Sequence, residues 1–146
     1  MSSTVNTMRR ALLVGSGGAL GALVRFVLVE LLPAVGPAPL RSALFLLLVN
    51  LSGACCAGFL SGLSTRARAK CTVCIEQFLL VGVCGGYTSY SGFIALAYDD
   101  WADARWLTML VVGLTLVGCP LAAWFGMAMS GGYPARPYAQ RQETAP

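Results

Sequence analysis

Apolar and polar residues alternate along this chain on the scale of whole helices rather than of single turns. Four apolar stretches, at about residues 11–32, 41–63, 74–97 and 105–130, are separated by three short segments that carry proline or charged residues. Each stretch reaches the roughly 20 residues that a helix needs to cross a bilayer. The pattern therefore predicts an all-α membrane protein with four transmembrane helices.

The third stretch has a composition that a plain lipid-facing helix does not need. Glycines at positions 82, 85 and 86 loosen it, and hydroxyl or phenol side chains occupy residues 87–91. Non-helical backbone at membrane depth is tolerated where protein or a water-filled cavity surrounds it, and broken membrane helices are typical of ion sites. We predict that this helix breaks between Gly82 and Phe93 and forms the working part of the protein.

Composition supports a membrane protein with a single domain. The chain has 146 residues, of which 57% are hydrophobic and 11% are charged, whereas a soluble domain carries about 25% charged residues. We expect one four-helix transmembrane channel domain over residues 1–130. The tail, residues 131–146, is rich in proline, glycine and polar residues and is predicted to be disordered.

Basic residues are distributed unevenly between the two sides of a four-helix layout. Two fall on one side, Arg41 and Arg105, and seven on the other: Arg9, Arg10, Arg66, Arg68, Lys70, Arg136 and Arg141. The positive-inside rule then predicts a multi-pass plasma-membrane protein with both termini in the cytoplasm. Because the basic residues form no continuous stripe, the net charge of +4 does not indicate a nucleic-acid partner.

Two strongly polar side chains lie inside the apolar stretches, away from the ends of the predicted helices. Arg25 either faces the protein interior or a vestibule, or extends to the far interface, since it lies past the middle of its span. Asn50 either forms a hydrogen bond between helices or donates to an anion. The sequence leaves both alternatives open.

Small residues and threonines mark further faces of the helices. Helix packing is predicted at Gly17, Gly21, Gly58 and Gly62, because small residues at this kind of spacing allow close approach. Thr115 either lines an ion pathway or bonds back to its own helix.

Enzyme chemistry is not indicated. The chain has no histidine, and no carboxylate pair or nucleophile–base pair lies in its apolar stretches. Its six cysteines suit packing better than a four-ligand zinc site, with a Cys71–Cys74 redox pair at the membrane surface as the alternative.

Three motifs follow one another in the first three stretches. They are Gly17-Gly18-Ala19-Leu20-Gly21-Ala22-Leu23-Val24-Arg25, Val49-Asn50-Leu51-Ser52-Gly53 and Gly82-Val83-Cys84-Gly85-Gly86-Tyr87-Thr88-Ser89-Tyr90-Ser91. Together they resemble the CrcB family, also called Fluc, of small fluoride-specific ion channels. The resemblance covers about residues 9–130.

The resemblance implies an antiparallel dimer of the dual-topology type with two pores. It also implies that fluoride leaves the cytoplasm passively through these pores, which reduces the toxicity of fluoride to the cell. It implies a structural, untransported Na+ at the dimer centre, held by the backbone carbonyls of Gly85 and Thr88. The pore phenylalanines of the family match Tyr90 and Phe93, its pore asparagine matches Asn50, and its first-helix arginine matches Arg25. The implied partners are therefore fluoride, a second subunit and the lipid bilayer.

The side chains suit a strongly hydrated anion. The amide of Asn50, the hydroxyls of Ser89 and Ser91 and the phenol of Tyr90 can replace water donors. The electropositive edge of the Phe93 ring can also face an anion. Neutral donors favour conduction, because binding must be weak enough for release.

Several positions differ from the family pattern. Tyr90 replaces a phenylalanine, Gly92 a threonine and Leu96 an acidic residue, and Phe45-Leu46 stands where Gly-Thr is common. Together with the charge bias, these differences suggest the hypothesis of a heterodimer with an oppositely oriented paralogue.

Two other functions remain open besides a fluoride channel. A non-conducting structural or partner subunit is one alternative. A multidrug exporter is another, although it would need Glu30 or Glu76 as a proton-coupling carboxylate.

Overall fold

The computed structural model describes residues 2–31, 38–66, 72, 74–99 and 105–131. Within these ranges the chain is helical except at residues 88–89 and in the final turn at 130–131. The helices are α1 (Ser2–Leu31), α2 (Ala38–Arg66), α3 (Cys74–Cys84), α4 (Gly85–Tyr87), α5 (Tyr90–Asp99) and α6 (Arg105–Met129). The all-α class predicted from the sequence is confirmed.

Three helices of the described chain are long and apolar enough to cross a membrane. The crossing segments are Asn6–Leu31, Leu40–Ser64 and Arg105–Met129. The fourth predicted crossing is divided among α3, α4 and α5, with α3 wound as a π-helix. The predicted break in this helix is confirmed, since the chain leaves the helical conformation at Thr88, where ψ is 153°.

The helices α1 and α3 pack in parallel. A Cβ at Gly17 would overlap the carbonyl oxygen of Phe78, and a Cβ at Gly21 would overlap that of Val83. Because the contacts advance in the same direction along both helices, the two segments run the same way. Gly17 and Gly21 therefore lie where the backbones approach most closely, in a small-xxx-small arrangement.

The helices α2 and α6 form a second parallel pair. A Cβ at Gly58 would overlap the Ala123 carbonyl, and a Cβ at Gly62 would overlap the Ser130 hydroxyl. In addition to these pairs, α3 contacts α2, and α5 contacts both α2 and α6. As a result, α2 and α3 lie at the middle of the bundle, with α1 and α6 at its sides.

Few apolar side chains are buried among the described residues, and a cluster of them lies between α2 and α6. This cluster consists of Ala43, Leu46, Leu107 and Val111. Many large apolar side chains are exposed instead, among them Leu23, Phe26, Leu116 and Trp124. Exposed apolar surface of this extent suits contact with lipid or with another subunit.

Three sequence predictions fall wholly or partly on residues outside the described ranges. The charge asymmetry depends largely on loop residues 67–70 and on the segment after residue 131. The predicted disorder of residues 131–146 concerns the same C-terminal segment, and Cys71 of the suggested redox pair also lies outside.

Candidate functional site

The centre of the candidate site is the break between α4 and α5. The last helical hydrogen bond before it runs from the Thr88 N–H to the Cys84 carbonyl, at 3.0 Å. Ser89 then caps the next helix, because its Oγ accepts a hydrogen bond from the Gly92 N–H at 3.0 Å. A serine at this position satisfies an amide that the first turn of a helix leaves unpaired.

The side chain of Asn50 holds the break open. Its Oδ1 accepts the Ser89 N–H at 3.0 Å, and both residues are buried. In an uninterrupted α-helix this N–H would donate to the carbonyl of Gly85, four residues earlier. Asn50 therefore replaces Gly85 as the acceptor and releases the Gly85 carbonyl from the helical ladder.

The same bond fixes the orientation of the Asn50 amide. Only the oxygen can accept from a backbone N–H, so the Nδ2 atom points the other way with two donors. No hydrogen bond from Nδ2 is formed to any residue in the part of the chain that the structure describes. The interpretations of Asn50 as an interhelical bond and as an anion donor are therefore compatible.

Arg25 reaches the break from α1. Its Nη1 donates to the Thr88 carbonyl oxygen at 3.2 Å, and the contact is partly buried. Of the two alternatives left by the sequence, the side chain adopts the one that faces the protein. Its positive charge lies beside the break, where it attracts anions.

A third cross-helix contact at the break involves Ser52 and Tyr87, whose oxygens lie 3.0 Å apart. The Ser52 hydroxyl donates to the Leu48 carbonyl at 2.7 Å, so the Tyr87 phenol is the donor to Ser52. The sequence alone does not identify this pair, because nothing in the local pattern shows which residue of another helix faces Ser52.

Gly53 allows α2 to approach the break closely. A Cβ at Gly53 would overlap the methyl group of Thr88 and lie 3.1 Å from Cδ1 of Tyr87. Gly53 therefore accommodates Tyr87 and Thr88 at the end of α4, next to Ser52, which binds Tyr87, and Asn50, which binds Ser89.

The other predicted pathway residues differ in their surroundings. Tyr90 is 78% exposed, and Ser91 beside it is also exposed. Phe93 lies within α5, but its side chain is outside the described part of the structure. Thr115 donates to the Val111 carbonyl at 2.7 Å, which commits its only proton to its own helix.

Thr108 was not predicted as a site residue, although it is the most notable polar group of α6. It is 3% exposed, and its Oγ1 has no hydrogen-bond partner in the described structure. A buried hydroxyl without a partner requires an explanation such as a bound water or ion. Threonine is common in membrane helices, so the residue type alone does not mark Thr108 as a site residue.

The carbonyls of Gly85 and Thr88 are the candidate cation ligands of the break. The Gly85 carbonyl has lost its helical donor to Asn50, and its remaining contact is a long one, 3.4 Å from the Thr88 hydroxyl. The Thr88 carbonyl accepts from Arg25 and has a second lone pair. Oxygen ligands of this kind suit a hard cation.

Side chains provide no alternative metal site here. Among the residues that the structure describes, no three His, Cys, Asp or Glu side chains group together. Gly85 is exposed on the surface of the subunit, with open space where a Cβ would lie. A cation on these carbonyls would therefore be accessible to ligands from a second subunit.

Comparison with known proteins assigns the chain to a family. The family model described as "CrcB-like protein, Camphor Resistance (CrcB)" matches residues 12–127. The chain belongs to the CrcB family. The residues that form the helix break all lie within the matched segment.

Relatives of the chain within the CrcB family carry names of ion channels. The chain is 33% identical over 122 residues to "Fluoride-specific ion channel FluC" of Chlorobium phaeobacteroides (strain BS1), covering 82% of this chain and 91% of the relative. It is 36% identical over 123 residues to "Fluoride-specific ion channel FluC 1" of Rhodococcus jostii (strain RHA1), covering 84% and 86% respectively. No solved structure matches the chain.

Proposed function

We propose that this chain is a fluoride-specific ion channel that lets fluoride leave the cytoplasm passively. The names of its CrcB relatives support the ion. The observation that carries the proposal within this chain is the Asn50 amide, whose two Nδ2 donors are left free by the Ser89 bond. Two neutral N–H donors on a largely buried residue, 8% exposed, beside a break in a membrane helix suit a small hydrated anion.

The approach to Asn50 is favourable for an anion. The Arg25 guanidinium lies at the break and raises the local concentration of negative ions. The Ser89 hydroxyl, whose oxygen accepts from Gly92, still has its proton to donate. Tyr90 and Ser91 add exposed hydroxyl groups at the start of α5, so several donors can replace water in succession.

A structural Na+ fits the same break. The Gly85 and Thr88 carbonyls would hold it, with matching carbonyls from a second subunit completing its coordination. When bound, the ion supplies a positive charge at the centre of the assembly and joins the two subunits. Exchange of sodium for a bulky organic cation should then lower the fraction of dimer measured by size-exclusion chromatography with light scattering.

The functional unit of this proposal contains two antiparallel subunits. Gly85 and Tyr90 are both exposed in the described subunit, which supports contact with a partner subunit. The bias of seven basic residues against two favours one orientation for this chain. An oppositely inserted paralogue is therefore the partner that best accounts for the charges, and in that case this chain alone would be an incomplete channel.

An exporter mechanism has less support. A proton-coupled exporter needs a carboxylate within the membrane. Glu30 is exposed in the last turn of α1, and Glu76 lies in the first turn of α3. Both positions are near the ends of their helices, where a carboxylate cannot control a central binding site.

Growth in fluoride tests the proposed function in cells. Expression of the chain in a fluoride-sensitive bacterium without its own fluoride channels should restore growth in fluoride, whereas expression of Asn50→Ala should not. Immunoblotting of membranes checks that both proteins accumulate equally. Growth that the chain does not restore, either alone or with its paralogue, would contradict the proposal.

A further inference from the structure

Leu46 fills the junction of three helices beside the Asn50–Ser89 hydrogen bond. It lies one turn before Asn50 on α2 and is 8% exposed. On α5 it faces Gly92, where an added Cβ would lie 2.8 Å from Cδ1 of Leu46. The leucine side chain therefore occupies space that a larger residue at position 92 would take.

On the α6 side, Leu46 packs in the apolar cluster that contains Leu107 and Val111. Next to Leu107 is Thr108, whose buried Oγ1 has no partner in the described structure. The buried, unpartnered Thr108 hydroxyl therefore lies on the same part of α6 as the two residues that share the apolar cluster with Leu46.

The parallel packing of α2 and α6 determines the order of these groups. Contacts advance along both helices from the level of Leu46 and Val111 to the level of Leu51 and Gly118. Thr108 precedes Val111 by one turn, and Asn50 follows Leu46 by one turn. Along the axis of the helix pair, the level of Leu46 therefore lies between the level of Thr108 and that of Asn50.

We propose that Leu46 is a hydrophobic constriction that limits fluoride passage between Thr108 and Asn50, and that Gly92 leaves the room that its side chain needs. The proposal rests on the function proposed above. Methyl groups cannot replace the water of a dehydrating anion, and apolar constrictions hinder ions by excluding water. Because polar groups precede and follow Leu46 along this path, the free energy of a passing fluoride ion is highest at Leu46.

Two substitutions of Leu46 separate its size from its apolar character. Threonine and valine have nearly the same shape, and only threonine adds a hydroxyl. We expect Leu46→Thr to raise fluoride efflux from liposomes about tenfold, the change expected when the barrier falls by about 1.4 kcal/mol. Leu46→Val is the matched control, because it shortens the side chain without adding a donor.

Substitution of Gly92 provides a second, independent test. A methyl group there would lie 2.8 Å from Cδ1 of Leu46 and 2.9 Å from the Ser89 Oγ. We expect Gly92→Ala to lower the thermal midpoint of the purified protein, and the shorter side chain of Leu46→Val to restore part of the loss. A midpoint that Leu46→Val leaves unchanged in the Gly92→Ala background would contradict the packing half of the proposal.

The outcomes distinguish this inference from the proposed function. If only Leu46→Thr increases fluoride efflux, the apolar character of Leu46 limits passage. If Leu46→Thr and Leu46→Val increase it equally, the size of Leu46 limits passage. Fluoride efflux by the wild-type chain that neither variant increases would overturn the inference and leave the channel function intact. If neither the wild-type chain nor any variant conducts, with or without the paralogue, the proposed function itself fails.

Discussion

Asn50 combines two tasks in one side chain. Its oxygen accepts the Ser89 N–H, which opens the third membrane helix, and its nitrogen keeps two donors, which the proposed function assigns to the anion. The sequence identifies Asn50 as an amide inside a membrane span that must find a partner. It cannot identify that partner, because Ser89 lies 39 residues away and is brought near only by the packing of α2 against the break.

Asn50→Asp separates the two tasks. The carboxylate keeps an acceptor for the Ser89 N–H but loses both N–H donors. We expect the variant to fold as a dimer and to lose fluoride efflux by more than about tenfold, since each hydrogen bond to a charged group contributes about 1.5–3 kcal/mol. Asn50→Leu is the comparison, because it removes the acceptor as well and should also lower the thermal midpoint. Wild-type efflux by Asn50→Asp would show that the amide does not serve the anion.

Gly85→Ala tests the exposed side of the break. A Cβ at Gly85 meets nothing within 4 Å in the subunit, and the same holds at Gly113 on α6. We expect Gly85→Ala to weaken the sodium-dependent dimer, because the added methyl group would crowd a second subunit. Gly113→Ala should leave the dimer unchanged. Light scattering in sodium measures both, and equal dimer fractions for the two variants would argue against a cation site at Gly85.

Helix packing depends on backbone contacts at glycine in both parallel pairs. The hydrophobic pattern of the sequence predicts the number of membrane crossings, and Gly82, Gly85 and Gly86 predict the break. The pattern does not predict that α2 pairs with α6 or that Ser52 faces Tyr87. Those arrangements depend on which helix faces fit together, and small residues on several helices leave more than one choice.

Gly58→Ala tests the α2–α6 contact. An added Cβ would overlap the backbone carbonyl of Ala123, which cannot rotate away as a side chain can. We expect the thermal midpoint to fall by the equivalent of about 1–3 kcal/mol, the usual cost of overpacking. Gly15→Ala is the control, since a Cβ at Gly15 meets nothing within 4 Å. Equal midpoints for the two variants would mean that α2 and α6 do not approach this closely.

The whole molecule carries two features that bear on assembly. The exposed Gly85 suits the second subunit that we propose, whereas the seven-to-two bias in basic residues opposes insertion of this chain in both orientations. A partner of opposite orientation encoded by a paralogue reconciles them. Neither feature is visible from one helix alone, because each requires the order of all four crossings.

Insertion can be measured directly with reporters fused to the C-terminus. We expect a reporter that is active only in the cytoplasm to give a strong signal and one that is active only outside to give almost none. Replacement of Arg9, Arg10 and Arg66 by serine should shift the ratio toward the outside reporter. Comparable signals from both reporters in the wild-type chain would contradict a single orientation and favour self-pairing.

The central claim, that this CrcB-family chain conducts fluoride, is tested most directly by ion efflux from liposomes that contain the purified protein in sodium. We predict fluoride efflux without chloride efflux from the chain alone or, if it is one half of a heterodimer, from the chain reconstituted with its paralogue. Asn50→Asp in the same preparation should abolish the signal. Well-folded protein that releases neither ion under both conditions, or that releases chloride as readily as fluoride, would contradict the account.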